Sequence, residues 1–289
     1  MNDAVRQMMA RHRLETSSDH VRALRDVLQE LALLGLWRSK FYEHAAFYGG
    51  TALRVLHGLD RFSEDLDFSL LAPNPEFDLA PYLTAFETEL RAFGFDVRAH
   101  QKLGAARRTA IHSAFLKAGT KRELVSIRTP DAITRTIHRD QVLTIKIEVD
   151  TDPPPGFETD VRYVLSPIPF AVRVYALPDL FAGKMHAVLC RRWKNRVKGR
   201  DWYDLVWFAA RHPQLHLAHL EARMVQSGHW PADRALTADA WRALMADTID
   251  TLNVDQARAD VMPFVKDADA LTLWSKAFFH DVIRRIELV

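Results

Sequence analysis

Apolar positions recur at helical spacing over Ser18 to about Trp37, where Val21, Leu24, Val27, Leu28, Leu31 and Leu34 fall on one stripe. Ser18-Asp19 is the expected cap of that helix. A second helix is expected over Phe77 to Phe93, closed by Gly94. Strict alternation marks a strand at Val142 to Val149: Leu143, Ile145, Ile147 and Val149 share one parity, Thr144, Lys146 and Glu148 the other. Pro153-Pro154-Pro155-Gly156 stops it. Further strands are expected at Phe95–Leu103, Ile111–Lys117, Leu124–Ile127 and Phe170–Tyr175. After Pro178 helical patterns dominate, over Asp179–Arg191, Trp202–Ala210, Leu217–Gln226, Ala238–Leu252 and Leu271–Leu288. The pattern predicts an α+β fold, with a mixed α/β part over residues 1–176, a boundary near Ala176–Leu177, and a mostly helical part over residues 177–289.

One stretch carries more than packing information. Phe47-Tyr48 leads into Gly49-Gly50, a helix is expected over Thr51 to His57, and Gly58 ends it. Ser63-Glu64-Asp65-Leu66-Asp67-Phe68 then reads as a turn entering a strand. Asp65 and Asp67 lie two apart, so both carboxylates leave one face of that strand, while Leu66, Phe68 and Leu70 point to a core. Paired carboxylates on a rigid strand suit hard cations, and Mg²⁺ combines such ligands with substrate phosphates. Gly49 and Gly50 allow close backbone approach, and the helix N-terminus that follows favours an anion. The competing reading is an acidic turn beside a glycine-rich loop.

Composition changes this picture little. The 289-residue chain is 48% hydrophobic with a formal net charge of +2, so any polyanion contact depends on local clustering. Arg191 to Arg200 is such a cluster: Arg191, Arg192, Lys194, Arg196, Lys198 and Arg200 are basic, with Trp193 among them. It is either a nucleic-acid or triphosphate contact or a solvated loop between helices. The single cysteine, Cys190, excludes an intramolecular disulfide and a cysteine-based zinc site. His57, His112, His138, His212, His216, His219, His229 and His280 are scattered and read as structural, and His186 as a packing or surface residue. No apolar run is long enough for a bilayer, and no N-terminal apolar core fits a signal peptide, so a soluble cytoplasmic protein without membrane contact is expected.

Gly-Gly-Thr-Ala-Leu at residues 49–53, followed by Arg-Phe-Ser-Glu-Asp-Leu-Asp-Phe at residues 61–68, resembles the first motif of the AbiEii/AbiGii toxin family, which includes the MenT toxins. Lys146-Ile147-Glu148 is similar to the family's second motif, Lys184 to its third, and Arg200-Asp201-Trp202-Tyr203-Asp204-Leu205 to its fourth. The resemblance implies a polymerase-β-like nucleotidyltransferase core followed by a helical domain that contributes Lys184 and Asp204 to the site. It implies catalytic roles for Asp65, Asp67, Glu148, Lys184 and Asp204, with two Mg²⁺ ions on Asp65, Asp67 and Glu148. NTP binding would fall to Gly49, Gly50, Thr51, Ser63 and Lys184. Asp204 would orient Lys184 or another cation, although Asp201, a candidate helix cap, is open to the same role. The implied reaction moves an NMP from an NTP to the 3′ end of tRNA, which blocks translation, and the implied partner is a cognate antitoxin. A small-molecule or protein acceptor, or a non-catalytic nucleotide- or RNA-binding module, are the other readings of the same residues.

Overall fold

The computed structural model describes residues 2–102, 120–128, 142–191 and 197–289. Contacts divide the chain into two compact units. One comprises Met1–His57, Glu64–Pro153 and Val161–Val174; the other comprises Gly58–Ser63, Pro154–Asp160 and Tyr175–Val289.

Along the chain, α1 (Asp3–Met9) and α2 (Ser17–Arg38) precede β1 (Ala45–Tyr48), α3 (Gly49–His57), β2 (Asp65–Leu70), α4 (Ala80–Ala92), β3 (Asp96–Lys102), β4 (Thr120–Arg128), β5 (Val142–Asp150), β6 (Thr159–Val164) and β7 (Phe170–Tyr175). Among the described residues, seven strands form one mixed sheet in the order β3-β4-β5-β2-β1-β7-β6. β2 runs parallel to β5, and β1 parallel to β7, whereas β1–β2, β3–β4 and β4–β5 are antiparallel. The alternation expected for β5 holds: Leu143, Ile145, Ile147 and Val149 are buried. The expected strand at residues 111–117 lies outside the described residues.

Helix α2 starts earlier than its expected cap. Thr16 is the N-cap: its Oγ1 accepts the Asp19 N–H at 3.1 Å, and Asp19 Oδ2 accepts the Thr16 N–H at 2.9 Å. Asp19 thus sits at the third helical position and reaches back, a reciprocal capping box. Leu24, Val27, Leu28, Leu31 and Leu34 bury the predicted stripe, and α2 packs on α4. Helix α4 begins at Ala80 rather than Phe77, because Phe77 N–H closes a turn onto the Asn74 carbonyl and Pro81 stands in the first helical turn. An aromatic cluster of Phe41, Phe47 and Phe68, with ring centroids 5.0 Å apart for Phe41–Phe68 and for Phe47–Phe68, anchors β1 and β2 to the core.

The second unit contains α5 (Leu177–Cys190), α6 (Gly199–Arg211), β8 (Gln214–Leu215), α7 (Leu217–Gln226), α8 (Ala238–Asp250), α9 (Val254–Val261), α10 (Lys276–Ile283) and β9 (Glu287–Leu288). Phe181 of α5 stacks on Phe208 of α6 at 4.4 Å, and Trp202 meets Phe279 of α10 at 4.8 Å. The single helix expected over Leu271–Leu288 is instead a short 3₁₀ turn at Asp269–Leu273, then α10, then β9 paired with β8. Ser275 restarts the helix by accepting the Phe278 N–H at 3.0 Å. Among the described residues no helix is long and apolar enough to cross a membrane.

Candidate active site

The first unit gathers the carboxylates. Leu66, Phe68 and Leu70 of β2 are buried, which turns Asp65 and Asp67 to the opposite, more accessible face. The parallel register with β5 sets Asp65 beside Lys146 and Asp67 beside Glu148. Three acidic side chains from adjacent strands therefore share one face with one lysine. Lys146 Nζ lies 2.7 Å from Glu148 Oε1 and 3.8 Å from Asp65 Oδ2. An ammonium held among these oxygens shows that the cluster accommodates positive charge. The hard oxygen donor set fits a divalent cation such as Mg²⁺.

The glycines are built into the same place. β1 pairs with β2 so that Tyr48 stands opposite Asp67. The chain turns at Gly49 with φ +83°, and a Cβ added there would come within 2.4 Å of Asp67 Oδ2. Both the left-handed backbone and the contact with the carboxylate require glycine. Helix α3 starts at Gly49, two residues sooner than expected, so Gly49, Gly50 and Thr51 all fall in its first turn, which carries no acidic residue. That leaves an N-terminus suited to an anion. Thr51 Oγ1 donates to the Asp65 carbonyl at 2.5 Å, and buried Gln29 donates to the Glu64 carbonyl at 3.1 Å. Two side chains thus pin the entry to β2, and Gln29 is a supporting residue that the apolar pattern of α2 does not reveal.

The second unit holds a buried ion network. Arg61 Nε and Nη2 each donate to Asp204 at 2.6 Å, one to each oxygen, and Lys184 Nζ lies 2.7 Å from Asp204 Oδ2. Arg61 and Asp204 are 3% and 0% exposed, and Lys184 is 14% exposed. Burial pushes the Asp204 carboxyl upward, but the Arg61 and Lys184 cations outweigh it and hold the group below its ordinary value. Ser63 lies in the same Gly58–Ser63 segment as Arg61. That segment is fixed at two further points: Tyr203 Oη donates to Asp60 Oδ1 at 2.6 Å, and Phe62 N–H donates to the Phe264 carbonyl at 2.7 Å.

The two aspartates of α6 differ clearly. Lys198 is the N-cap position and the helix begins at Gly199, so Asp201 lies inside the first turn rather than capping it. Asp201 is buried and faces Arg191 Nη1 at 3.5 Å, while Asp204, one turn on, holds Arg61 and Lys184. Arg61 was not singled out from the sequence, where its partner stands 143 positions away. The available signal was the motif Arg61-Phe62-Ser63-Glu64-Asp65, which carries an arginine that needs a carboxylate once buried.

The basic cluster is only partly visible. Arg192, Lys194 and Arg196, with Trp193, lie outside the described residues. Arg191 is exposed beyond the end of α5, and the Arg200 guanidinium stacks on the Phe264 ring at 4.1 Å. Burial lowers the Lys198 ammonium to about 8, with Arg191, Arg200 and Lys184 adding repulsion and Asp201 opposing the shift. Among the histidines read as structural, His216 contacts Asp179 Oδ1 at 2.6 Å, His219 is buried 3.1 Å from the Pro155 carbonyl, and His280 meets Asp250 at 2.9 Å. His112 and His138 lie outside the described residues.

The mixed sheet brings the Gly-Gly turn, the Asp-x-Asp strand and a neighbouring glutamate together. The family profile described as nucleotidyl transferase AbiEii toxin, type IV toxin–antitoxin system, matches residues 31–278, and the chain belongs to that family. It is a nucleotidyltransferase. Family membership implies an NTP substrate, a divalent metal and an antitoxin partner. The fold is similar to that of MenT4, a nucleotidyltransferase toxin from Mycobacterium tuberculosis, at 19% identity and TM-score 0.58, covering 97% of this chain and 88% of that one. It is also similar to a chain from H. pylori described as a nucleotidyltransferase, at 18% identity and TM-score 0.52, covering 92% and 97%. No curated protein matches the chain significantly in sequence.

Proposed function

We propose that this toxin-family enzyme transfers a nucleoside monophosphate from an NTP to the 3′ end of tRNA in a Mg²⁺-dependent reaction, and thereby blocks translation. The observation that carries the chemistry is the β2–β5 register, which sets Asp65 and Asp67 beside Lys146 and Glu148 on one sheet face. In this reading the acceptor hydroxyl oxygen bonds to the α-phosphorus, the bond to the bridging oxygen breaks, and pyrophosphate leaves.

Asp65, Asp67 and Glu148 would hold two Mg²⁺ ions, which when bound neutralise charge on the phosphate oxygens. Glu148 completes that carboxylate set or takes the proton of the acceptor hydroxyl. Gly49, Gly50 and Thr51 offer backbone N–H groups at the start of α3 to the triphosphate, and Ser63 adds a hydroxyl. Lys184 supplies a point cation for the triphosphate, with its position fixed by Asp204. Catalysis by such a set is positioning plus electrostatic neutralisation. Arg191, Lys198 and Arg200, with Arg192, Lys194 and Arg196, are the proposed RNA contacts. The tRNA acceptor rests on family resemblance, and an antitoxin acts as the partner that restrains the enzyme.

The test is incubation of the purified protein with Mg²⁺, total tRNA and each α-labelled NTP in turn, beside Asp65→Ala. Label on tRNA 3′ ends from the wild type alone is the expected result. Label on protein or a small molecule replaces the acceptor, and equal label from Asp65→Ala removes the carboxylate assignment.

A further inference from the structure

The histidines and the cysteine are not all dispersed. His186, Cys190 and His229 bring one potential ligand atom each to within 4.8 Å of one another, the cluster of this kind found among the described residues. Two of the three are set by helix geometry. His186 and Cys190 are four apart on α5 and therefore one turn apart on the same face. The third is set by a turn. After α7, Gly228 adopts φ +74°, and the His229 N–H returns to the Met224 carbonyl at 2.8 Å. This folds His229 back toward α5, which packs against α7.

The side chains converge on one point. His186 Nε2 and His229 Nδ1 lie 2.8 Å and 3.0 Å from the same Ser227 Oγ, and the two rings stand at 88°. Ser227 Oγ also donates to the Met224 carbonyl at 3.2 Å, so its position is fixed between the two rings. Cys190 is 1% exposed, His186 is half-buried and His229 is exposed, so one side of the cluster is dry and the other open to solvent. Cys190 is the last residue of α5, where the helix dipole presents partial negative charge to a cation.

We propose that His186, Cys190 and His229 form a site for a borderline-soft divalent transition metal, with Zn²⁺ as its natural occupant. Two imidazoles and a thiolate are a zinc donor set, with Zn–N of about 2.0–2.1 Å and Zn–S of about 2.3 Å. A tetrahedral ion on these ligands needs donor–donor spacings of about 3.3–3.8 Å. With all three donor atoms within 4.8 Å, closing to that spacing takes about 1 Å at most, and the ring nitrogens exchange their hydrogen bonds to Ser227 for the metal. The fourth position, on the solvent side, takes water. Binding replaces the thiol S–H bond with a metal–sulfur bond and releases one proton, so affinity rises with pH. The site departs from the sequence reading that a single cysteine excludes a cysteine-based zinc site, because two histidines supply the other protein ligands. The ion ties the end of α5, the helix that carries Lys184, to the turn after α7.

Co²⁺ reports the site directly. The tag-free full chain is stripped with chelator and titrated with Co²⁺. A thiolate-to-metal charge-transfer band in the near ultraviolet, saturating at one equivalent and abolished by Zn²⁺, is expected. Cys190→Ser removes the band. His186→Gln and His229→Gln each weaken Co²⁺ binding at least about tenfold, a scale that even supporting residues of metal sites reach. Zn²⁺ raises the apparent Tm of the wild type and leaves that of Cys190→Ser unchanged. Because His229 is exposed, His229→Gln keeps the fold and remains informative if Cys190→Ser does not. No band at saturating Co²⁺, or a band with unchanged affinity in both histidine variants, overturns the site. Asp65→Ala retains the band, so this outcome is independent of the transferase reading.

Discussion

Asp204→Asn tests the buried network of the second unit. The substitution keeps the shape of the side chain and removes its charge. It leaves Arg61, 3% exposed, and Lys184, 14% exposed, facing a neutral amide. Three charge-assisted contacts of 2.6, 2.6 and 2.7 Å lose their anion. Hydrogen bonds to charged groups are worth about 1.5–3 kcal/mol each, but desolvation of the pair offsets part of that sum. Breaking a buried ion pair on one side costs about 3–5 kcal/mol, because the surviving charge stays buried. The expected loss is therefore about 3–5 kcal/mol, or roughly 10 °C or more in Tm. Lys184→Met should cost less, since Arg61 still holds both Asp204 oxygens. The triple change Arg61→Met, Lys184→Met, Asp204→Leu should recover much of the loss, as apolar replacements of buried ion clusters do. Urea unfolding at pH 7, followed by tryptophan fluorescence and circular dichroism, measures all of these. The pH dependence has a definite sign. The Asp204 carboxyl titrates below its ordinary value of 3.8, so its stabilisation is complete above that value and is lost as pH falls through the folded-state value. Loss of stability by less than about 1 kcal/mol in Asp204→Asn, or equal losses in Asp204→Asn and Lys184→Met, would refute the reasoning, since the first is then no longer a case of stranded buried charge.

Asp65→Ala and Glu148→Gln should each abolish NMP transfer while leaving the urea midpoint near wild type, because both side chains sit on the more accessible sheet face; labelled-NTP transfer and unfolding curves separate the two effects. Gly49→Ala should lose transfer and destabilise by about 1–2 kcal/mol from the left-handed backbone alone, with the Asp67 contact adding to it, and thermal melts measure the cost. Lys198 releases its proton near pH 8, so RNA affinity measured at constant salt should fall between pH 7 and 9 in the wild type and stay flatter in Lys198→Met. The stability sign is opposite to that of Asp204: burying the Lys198 cation costs stability below pH 8, and the cost is relieved as pH rises toward 10.5, so the stability advantage of Lys198→Met should shrink over that window.

What the sequence conveyed follows from how local each signal is. The strand β5 was legible because its period-two alternation needs no partner, and the buried residues Leu143, Ile145, Ile147 and Val149 are the ones that alternation marked. Asp65 and Asp67 were legible for the same reason, since their shared face follows from spacing alone. Lys184 and Asp204 entered through motif resemblance, as nothing in local spacing tells a cap from a functional aspartate. The start of α2 was missed by two residues because Thr16 and Asp19 act as a pair across the first turn, and the end of the chain was missed because Ser275 restarts a helix within an unbroken apolar pattern.

The least legible features are those made by distant residues meeting. Arg61 stands 143 positions from Asp204, Gln29 is 35 positions from the Glu64 carbonyl, and His186 is 41 from Ser227. In each case the partner is too far along the chain for local spacing to show it. Burial makes such a residue informative: a buried arginine requires a carboxylate, and a buried glutamine amide requires a carbonyl. The same rule separates the two aspartates of α6. Both are buried, but Asp201 meets Arg191 at 3.5 Å, whereas Asp204 holds Arg61 and Lys184 at 2.6 and 2.7 Å, and an anion so held can keep Lys184 fixed in position at 14% exposure. A lysine restrained in this way loses less side-chain entropy on meeting a phosphate than a solvated one does. That is a physical reason for the fourth motif to carry an aspartate three residues after Asp201 rather than Asp201 alone.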